Sequence, residues 1–244
     1  MPSWWAGARP WRPSSTDRRP VTTDADHEPG GLVLAFPLIA LAGWVDALGV
    51  VQWHGLYASF MSGHSTTLGA APAMGDWGGA FEAARAVAVF LAGTVAGELI
   101  GPAARDWRGP AVVASEAACL WLAFAGERAG WGLPAVAAAT GLAMGLQTAA
   151  VHKVEGTGIA LTYVTGTLVS LGRAVASGLR GTGPWRKALL FAGCWLSLVA
   201  GAAAGGLVAR TDPAAALGAA AGAATITAAL TGAGVALRRA RRAS

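Results

Sequence analysis

Asp46 is the only formally charged side chain between Gly31 and Gly75. A carboxylate in so apolar a stretch costs about 2.5–3.5 kcal/mol on membrane-insertion scales, so it normally faces a polar cavity. It is a candidate proton or cation site; a structural carboxyl bonded to a neighbouring helix is the equal alternative. Further on, His64 stands within Ser62-Gly63-His64-Ser65-Thr66-Thr67. Hydroxyls and an imidazole this closely spaced are poor lipid-facing material, and Gly63 with Pro72 permits a break that exposes backbone groups to a ligand. Imidazole is the side chain best suited to titrate near neutral pH. The plainer reading, a histidine hydrogen-bonded between helices, stands beside it. Gln147 and the motif Thr165-Gly166-Thr167 repeat the pattern without a titratable group, which confines any proton coupling to the first half. The candidate substrate or ion pathway is therefore Asp46, Ser62, Gly63, His64, Thr66, Gln147, Thr165, Gly166 and Thr167. Glu98 and Glu116 are secondary candidates: Glu98 lies near a span end and can reach the interface, whereas Glu116 is deeper, with Ser115 beside it.

Catalysis finds no foothold. There is no P-loop, no nucleotide-binding glycine fingerprint and no HExxH, and His54 and His152 have no ligand-like spacing. Cys119 and Cys194 both fall in apolar stretches and read as small buried thiols. The expectation is a non-enzyme without cofactor or metal. The basic excess of +5 clusters at membrane edges and is not a nucleic-acid signature.

The elements that must position these residues are transmembrane helices. The chain is 54% hydrophobic and only 13% charged, and its apolar residues fall in long blocks. Crossing the hydrocarbon takes about 20 apolar residues as a helix. The period-2 alternation of a barrel is absent, so the fold class is all-α, a polytopic bundle. Segments are expected near 31–51, 56–74, 81–101, 110–126, 132–151, 158–178, 188–209 and 213–237. The second and sixth are short, polar and rich in Gly, Ser and Thr; they either cross or enter and return, giving eight or six spans. With eight crossings and the N-terminus inside, 14 of the 18 basic residues lie on the inner side. With six, 15 do. Either count puts both termini in the cytoplasm. In the eight-crossing case Asp46, His64, Glu98, Glu116, Gln147 and Thr165 share one polar layer; in the six-span case that layer disperses.

The chain also contains itself twice, at an offset of 102 to 104 residues. Gly43-Trp44-Val45-Asp46-Ala47 aligns with Gly145-Leu146-Gln147-Thr148-Ala149, and Phe60 to Gly69 with Tyr163 to Gly172. Val95-Ala96-Gly97 with Gly101 aligns with Val199-Ala200-Gly201 with Gly205. This divides the chain into a tail (1–29), a first repeat core (30–109), a connecting segment (110–131), a second repeat core (132–209) and a last segment with a basic tail (210–244). Small residues every fourth position (Gly93-Gly97-Gly101, Gly141-Gly145, Ser197-Gly201-Gly205) mark helix-packing seams. An odd number of crossings per half makes the repeats inverted and an even number makes them parallel.

The pattern VDALG…FMSGHSTTLG followed by GLQTA…YVTGTLVSLG resembles the YoaK-like family of uncharacterised bacterial membrane proteins. The resemblance covers about residues 31–237 and implies an inner-membrane protein, with no established reaction. Repeats with broken helices are frequent in secondary transporters. The expected function is a secondary transporter or permease for a small solute, with proton coupling through Asp46 and His64. A non-transporting membrane scaffold or accessory subunit is the alternative. Expected partners are the lipid bilayer, a small-molecule solute and further copies of the chain.

Overall fold

The computed structural model describes residues 30–150 and 164–243. The tail expected over 1–29, and His152 and Tyr163, lie outside the described residues. Among those described there are eight α-helices and no strand: α1 (Gly30–Val51), α2 (Met61–Ala70), α3 (Trp77–Ala104), α4 (Arg108–Arg128), α5 (Leu133–Thr148), α6 (Val164–Leu179), α7 (Trp185–Ala209) and α8 (Pro213–Ala243). Their starts follow local chemistry. Gly75 takes a left-handed φ of 74° after the 3-10 turn Ala71–Met74, and Asp76 then caps α3 by accepting from Gly79 N–H at 2.8 Å. Asp212 caps α8 in the same way, accepting from Ala215 N–H at 2.9 Å, with Pro213 as the first helical residue.

Leu34–Val51, Trp77–Arg128, Trp185–Ala209 and Pro213–Ala243 are long and apolar enough to cross a membrane, and Leu133–Thr148 is a shorter apolar helix. The stretch Trp77–Arg128 is two helices, α3 and α4, folded back at the 3-10 turn Arg105–Trp107. Large apolar side chains such as Leu91, Leu99, Leu189, Leu207, Ile226 and Leu230 point outward, as lipid-facing residues do. The buried centre combines large side chains such as Leu38, Leu48, Leu120, Met144 and Leu217 with many small ones, among them Ala35, Ala42, Ala143, Ala220 and Ala224.

Helix direction follows from the contacts. Phe36, Ala40 and Trp44 of α1 meet Gly193, Gly201 and Gly205 of α7 in ascending order, so α1 and α7 are parallel. Val89 and Gly93 of α3 meet Gly141 and Leu142 of α5, and Gly97 meets Leu146, so α3 and α5 are parallel too. α4 runs against α8, since Phe124 meets Gly218, Trp121 donates from Nε1 to Thr225 Oγ1 at 3.1 Å, and Trp107 meets Gly232. α4 also runs against α5, with Gly109 near Ala150 at one end and the turn 129–132 at the other. Hence α1, α4 and α7 point one way, and α3, α5 and α8 the other.

The two parallel crossings use corresponding contacts. A Cβ on Gly201 would strike Ala40 O, and one on Gly93 would strike Leu142 O. Gly205 faces Trp44 O as Gly97 faces Leu146 O, and Gly43 faces Leu198 O as Gly145 faces Phe90 O. Carbonyls this close leave room only for hydrogen. These contacts match Gly93 with Gly201 and Gly97 with Gly205, whereas the sequence alignment pairs Gly97 with Gly201. The difference is one helical turn. A ladder of small residues every fourth position matches itself equally well after such a shift, and only the opposing carbonyl decides.

The segment expected over 56–74 is only partly helical. After α1 the chain turns back along it. A Cβ on Gly49 would meet Leu56 O, and Ser59 is bonded to Asp46, well inside the end of α1 at Val51. α2 then leads outward again to Gly75. Of the sixth segment, α6 is described from Val164 onward; it packs on α7 and reaches it through a turn closed by Thr182 N–H donating to Ser177 O at 3.0 Å.

Candidate functional site

Asp46 projects from α1 onto the returning loop. Its Oδ1 accepts from the Ser59 backbone N–H at 2.7 Å and its Oδ2 from Ser59 Oγ at 2.6 Å. Both carboxylate oxygens are thus engaged by one residue. Ser59 is buried, and its place just before the aligned motif gave no sequence signal of this role. His64, also buried, is bonded through Nε2 to Tyr57 O at 2.7 Å. Two side chains from two helices therefore hold the same loop. Ser62 and Thr66, from the same motif, are exposed, and the Thr66 hydroxyl is turned back onto Ser62 O at 3.0 Å. That back-bond lets a threonine face lipid without an orphan hydroxyl.

Thr165, Gly166 and Thr167 form the start of α6, with Thr165 exposed. α6 packs on α7 rather than on α1 or α2, so this motif does not join the Asp46–His64 cluster. Gln147, fully buried on α5, donates from Nε2 to Leu38 O at 2.9 Å and ties α5 to α1. Its Oε1 is buried without a partner. Glu98 is half exposed and pairs with Arg108 at 2.9 Å beside the α3–α4 turn.

Glu116 differs from all of these. It lies on the buried face of α4 among Val112, Val113, Ala117 and Leu120, has no exposed surface, and neither carboxyl oxygen has a hydrogen-bond partner. Counting about 1.5 Å per residue from the Gly109–Ala150 contact places Gln147 roughly 6 Å from Glu116 along the bundle axis. Asp46 lies roughly 7 Å to the other side by the same count from the Leu34–Gly109 contact. The polar groups are thus strung along the depth of the bundle. By this count Asp46, Glu116 and Gln147 do not share one depth.

A cleft lies against the held loop. It is lined by Trp53, Tyr57 and Met61 from the loop and the start of α2, Arg85 and Val89 from α3, and Gly141 from α5, among others. Arg85 pairs with Glu82 one turn earlier. No cluster of metal-ligating side chains occurs among the described residues.

Comparison with known proteins gives a family and no activity. A family model described as protein of unknown function (DUF1275) matches residues 34–230. A UPF0700 transmembrane protein of Rhizobium meliloti (strain 1021) is 32% identical over 184 residues, 74% of this chain and 76% of that protein. No solved structure matches.

Proposed function

The chain belongs to the DUF1275 family of transmembrane proteins of unknown function; from its own residues, we propose that it is a secondary transporter or permease for a small solute, with Glu116 as the coupling group. One observation carries this reading. A carboxyl with no surface and no partner, in the middle of a helical membrane bundle, costs stability and returns none to the fold. Such a group is retained for what it binds, a proton or a cation. Gln147 Oε1, the next orphan oxygen along the axis, offers a neighbouring acceptor.

The architecture we propose is a pair of inverted repeats of three crossings each. Its support is the opposed direction of α1 and α5 and of α3 and α7, together with the corresponding glycine contacts. The second segment enters from one side and the sixth from the other. Both termini are cytoplasmic in this reading, and 15 of the 18 basic residues face inward. The likeness to the YoaK-like family, the inner-membrane location and the absence of a catalytic step or cofactor belong to the same proposal, as does assembly into homo-oligomers. A Glu98→Cys variant should react with a membrane-impermeant thiol reagent only from the cytoplasmic side. Labelling only from outside would restore eight crossings.

The coupling role is tested in proteoliposomes loaded with a pH-sensitive dye and exposed to a panel of small carboxylates, amino acids and sugars. Wild type should acidify with at least one solute, and Glu116→Gln should not. The same variant should unfold within about 1 kcal/mol of wild type, since no hydrogen bond is lost. A loss of about 3–5 kcal/mol would instead mark a buried ion pair and a structural carboxyl. The scaffold reading has one observation in its favour: Asp46 and His64 are both spent on loop backbone. Absence of any solute-dependent signal, with a partner or second copy co-purifying, would favour it.

A further inference from the structure

α8 is charged at its ends and apolar between them. Asp212 caps its start, Arg238, Arg239, Arg241 and Arg242 close it, and no acid occurs within Pro213–Ala243. Its 31 residues make a rod of about 46 Å against about 30 Å of hydrocarbon, so roughly the last ten stand beyond the apolar layer. Trp107, packed on Gly232, marks the same boundary, since tryptophan favours the edge of the hydrocarbon. The outward stripe of Ile226, Leu230 and Leu237 ends one turn later at Arg241, on the same face. Arg238, also exposed, is the neighbour of Arg241 three residues earlier. Side chains on a helix lean toward its N-terminus, and here that direction is back to the bilayer. Arg238 shows it: its Nη1 lies 3.8 Å from where a Cβ on Gly234 would stand. Its guanidinium is thus held about two residues beyond the level of Trp107, at the depth of lipid phosphates. Arg239, by contrast, faces the α3–α4 turn and pairs with Asp106 at 3.0 Å.

We propose that Arg238 and Arg241 bind the phosphate of an anionic phospholipid, whose acyl chains lie along Leu230 and Leu237. A guanidinium meets a phosphate with paired N–H donors, which gives geometry as well as charge. Phosphatidylcholine carries a quaternary ammonium beside its phosphate, and the clustered arginines disfavour it; phosphatidylglycerol carries none. A free phosphate compound offers the same anion but nothing for the leucine face. The bound lipid fixes the end of the longest described helix at the membrane surface. The proposal requires a bundle in a bilayer and does not depend on transport.

The test titrates the full chain, in a non-ionic detergent, with dioleoylphosphatidylglycerol or dioleoylphosphatidylcholine, and native mass spectrometry reads the fraction carrying one lipid. Phosphatidylglycerol should bind at least about tenfold more tightly, an advantage that shrinks to a few-fold between about 0.05 and about 0.5 M ammonium acetate. Arg238→Gln/Arg241→Gln should weaken phosphatidylglycerol by about 10- to 30-fold, near fivefold for each arginine, and leave phosphatidylcholine unchanged. Arg238→Lys/Arg241→Lys should lose less, since the charge stays while the paired donors go. Arg128→Gln/Arg210→Gln removes the same charge from the opposite end of the bundle and should change the affinity by less than about twofold. Glycerol 3-phosphate at equal concentration should not displace the lipid. Displacement would mark a site for free phosphate compounds and overturn the lipid assignment. Equal affinity for the two lipids, unchanged binding in folded Arg238→Gln/Arg241→Gln, or an equal loss in Arg128→Gln/Arg210→Gln would overturn it as well. Thermal unfolding reports whether each variant is folded; if the glutamine pair is not, the lysine pair and the salt series carry the test.

Discussion

Gly201→Leu should abolish the folded protein. A Cβ at this position would run into Ala40 O of α1, a backbone atom that no rotamer change can move aside. The parallel α1–α7 pair would have to separate along its length, losing the approach that Gly43 and Gly205 share with it. Overpacking a filled core costs about 1–3 kcal/mol where side chains can yield, and a backbone obstacle puts this substitution at or beyond the upper end. In detergent the variant should give little monodisperse protein by gel filtration. Gly145→Leu should match it, because Gly145 stands against Phe90 O in the α3–α5 crossing. Gly222→Ala is the control: nothing lies within 4 Å of its added Cβ. It should be neutral or stabilising, by up to about 1 kcal/mol of helix propensity. Equal thermal midpoints for Gly201→Leu and wild type would mean that the crossing does not hold the bundle.

Asp46→Ala should destabilise by about 3 kcal/mol, since it strands two donors of buried Ser59 at once. Ser59→Ala removes one of those bonds and should cost about 1 kcal/mol. Asp46→Asn should also be mild, because its amide oxygen can keep the Ser59 N–H while its NH2 donates to Ser59 Oγ. The order Ala, then Asn with Ser59→Ala, in thermal unfolding distinguishes a loop clamp from a coupling carboxylate. If Asp46→Asn unfolds like wild type but loses all solute-dependent flux, Asp46 joins the transport machinery. If it retains flux, the clamp is its whole role.

The helical membrane character and the close-packed seams were legible because lipid imposes long apolar blocks, and glycine at every fourth position is the mark of touching backbones. Which seam meets which was not. α1 joins α7 and α3 joins α5, and the surrounding Ala, Leu and Val look alike on every helix, so no complementarity in the sequence names a partner. The interruption around Phe60 to Gly69 was visible as polar residues in an apolar context. Its cause lay in Ser59 and Tyr57, whose contribution is largely backbone and carries no side-chain signature. Glu116 was visible as an acid in a span and was ranked below Asp46 and His64. Only the surroundings separate them: Asp46 and His64 have partners at hydrogen-bond distance, and Glu116 has none.

The α1–α7 crossing also sets an order of events during synthesis. α1 leaves the ribosome well before α7 and α8, and its Trp44 eventually donates to Ala216 O, across 172 residues of chain. Until α7 and α8 emerge, the face of α1 that carries Gly43 lacks the helix it packs on. The bundle is therefore latched from its C-terminal end. A chain arrested before Trp185 should remain an open set of helices, recognisable to quality-control proteases however many of its spans are already in place.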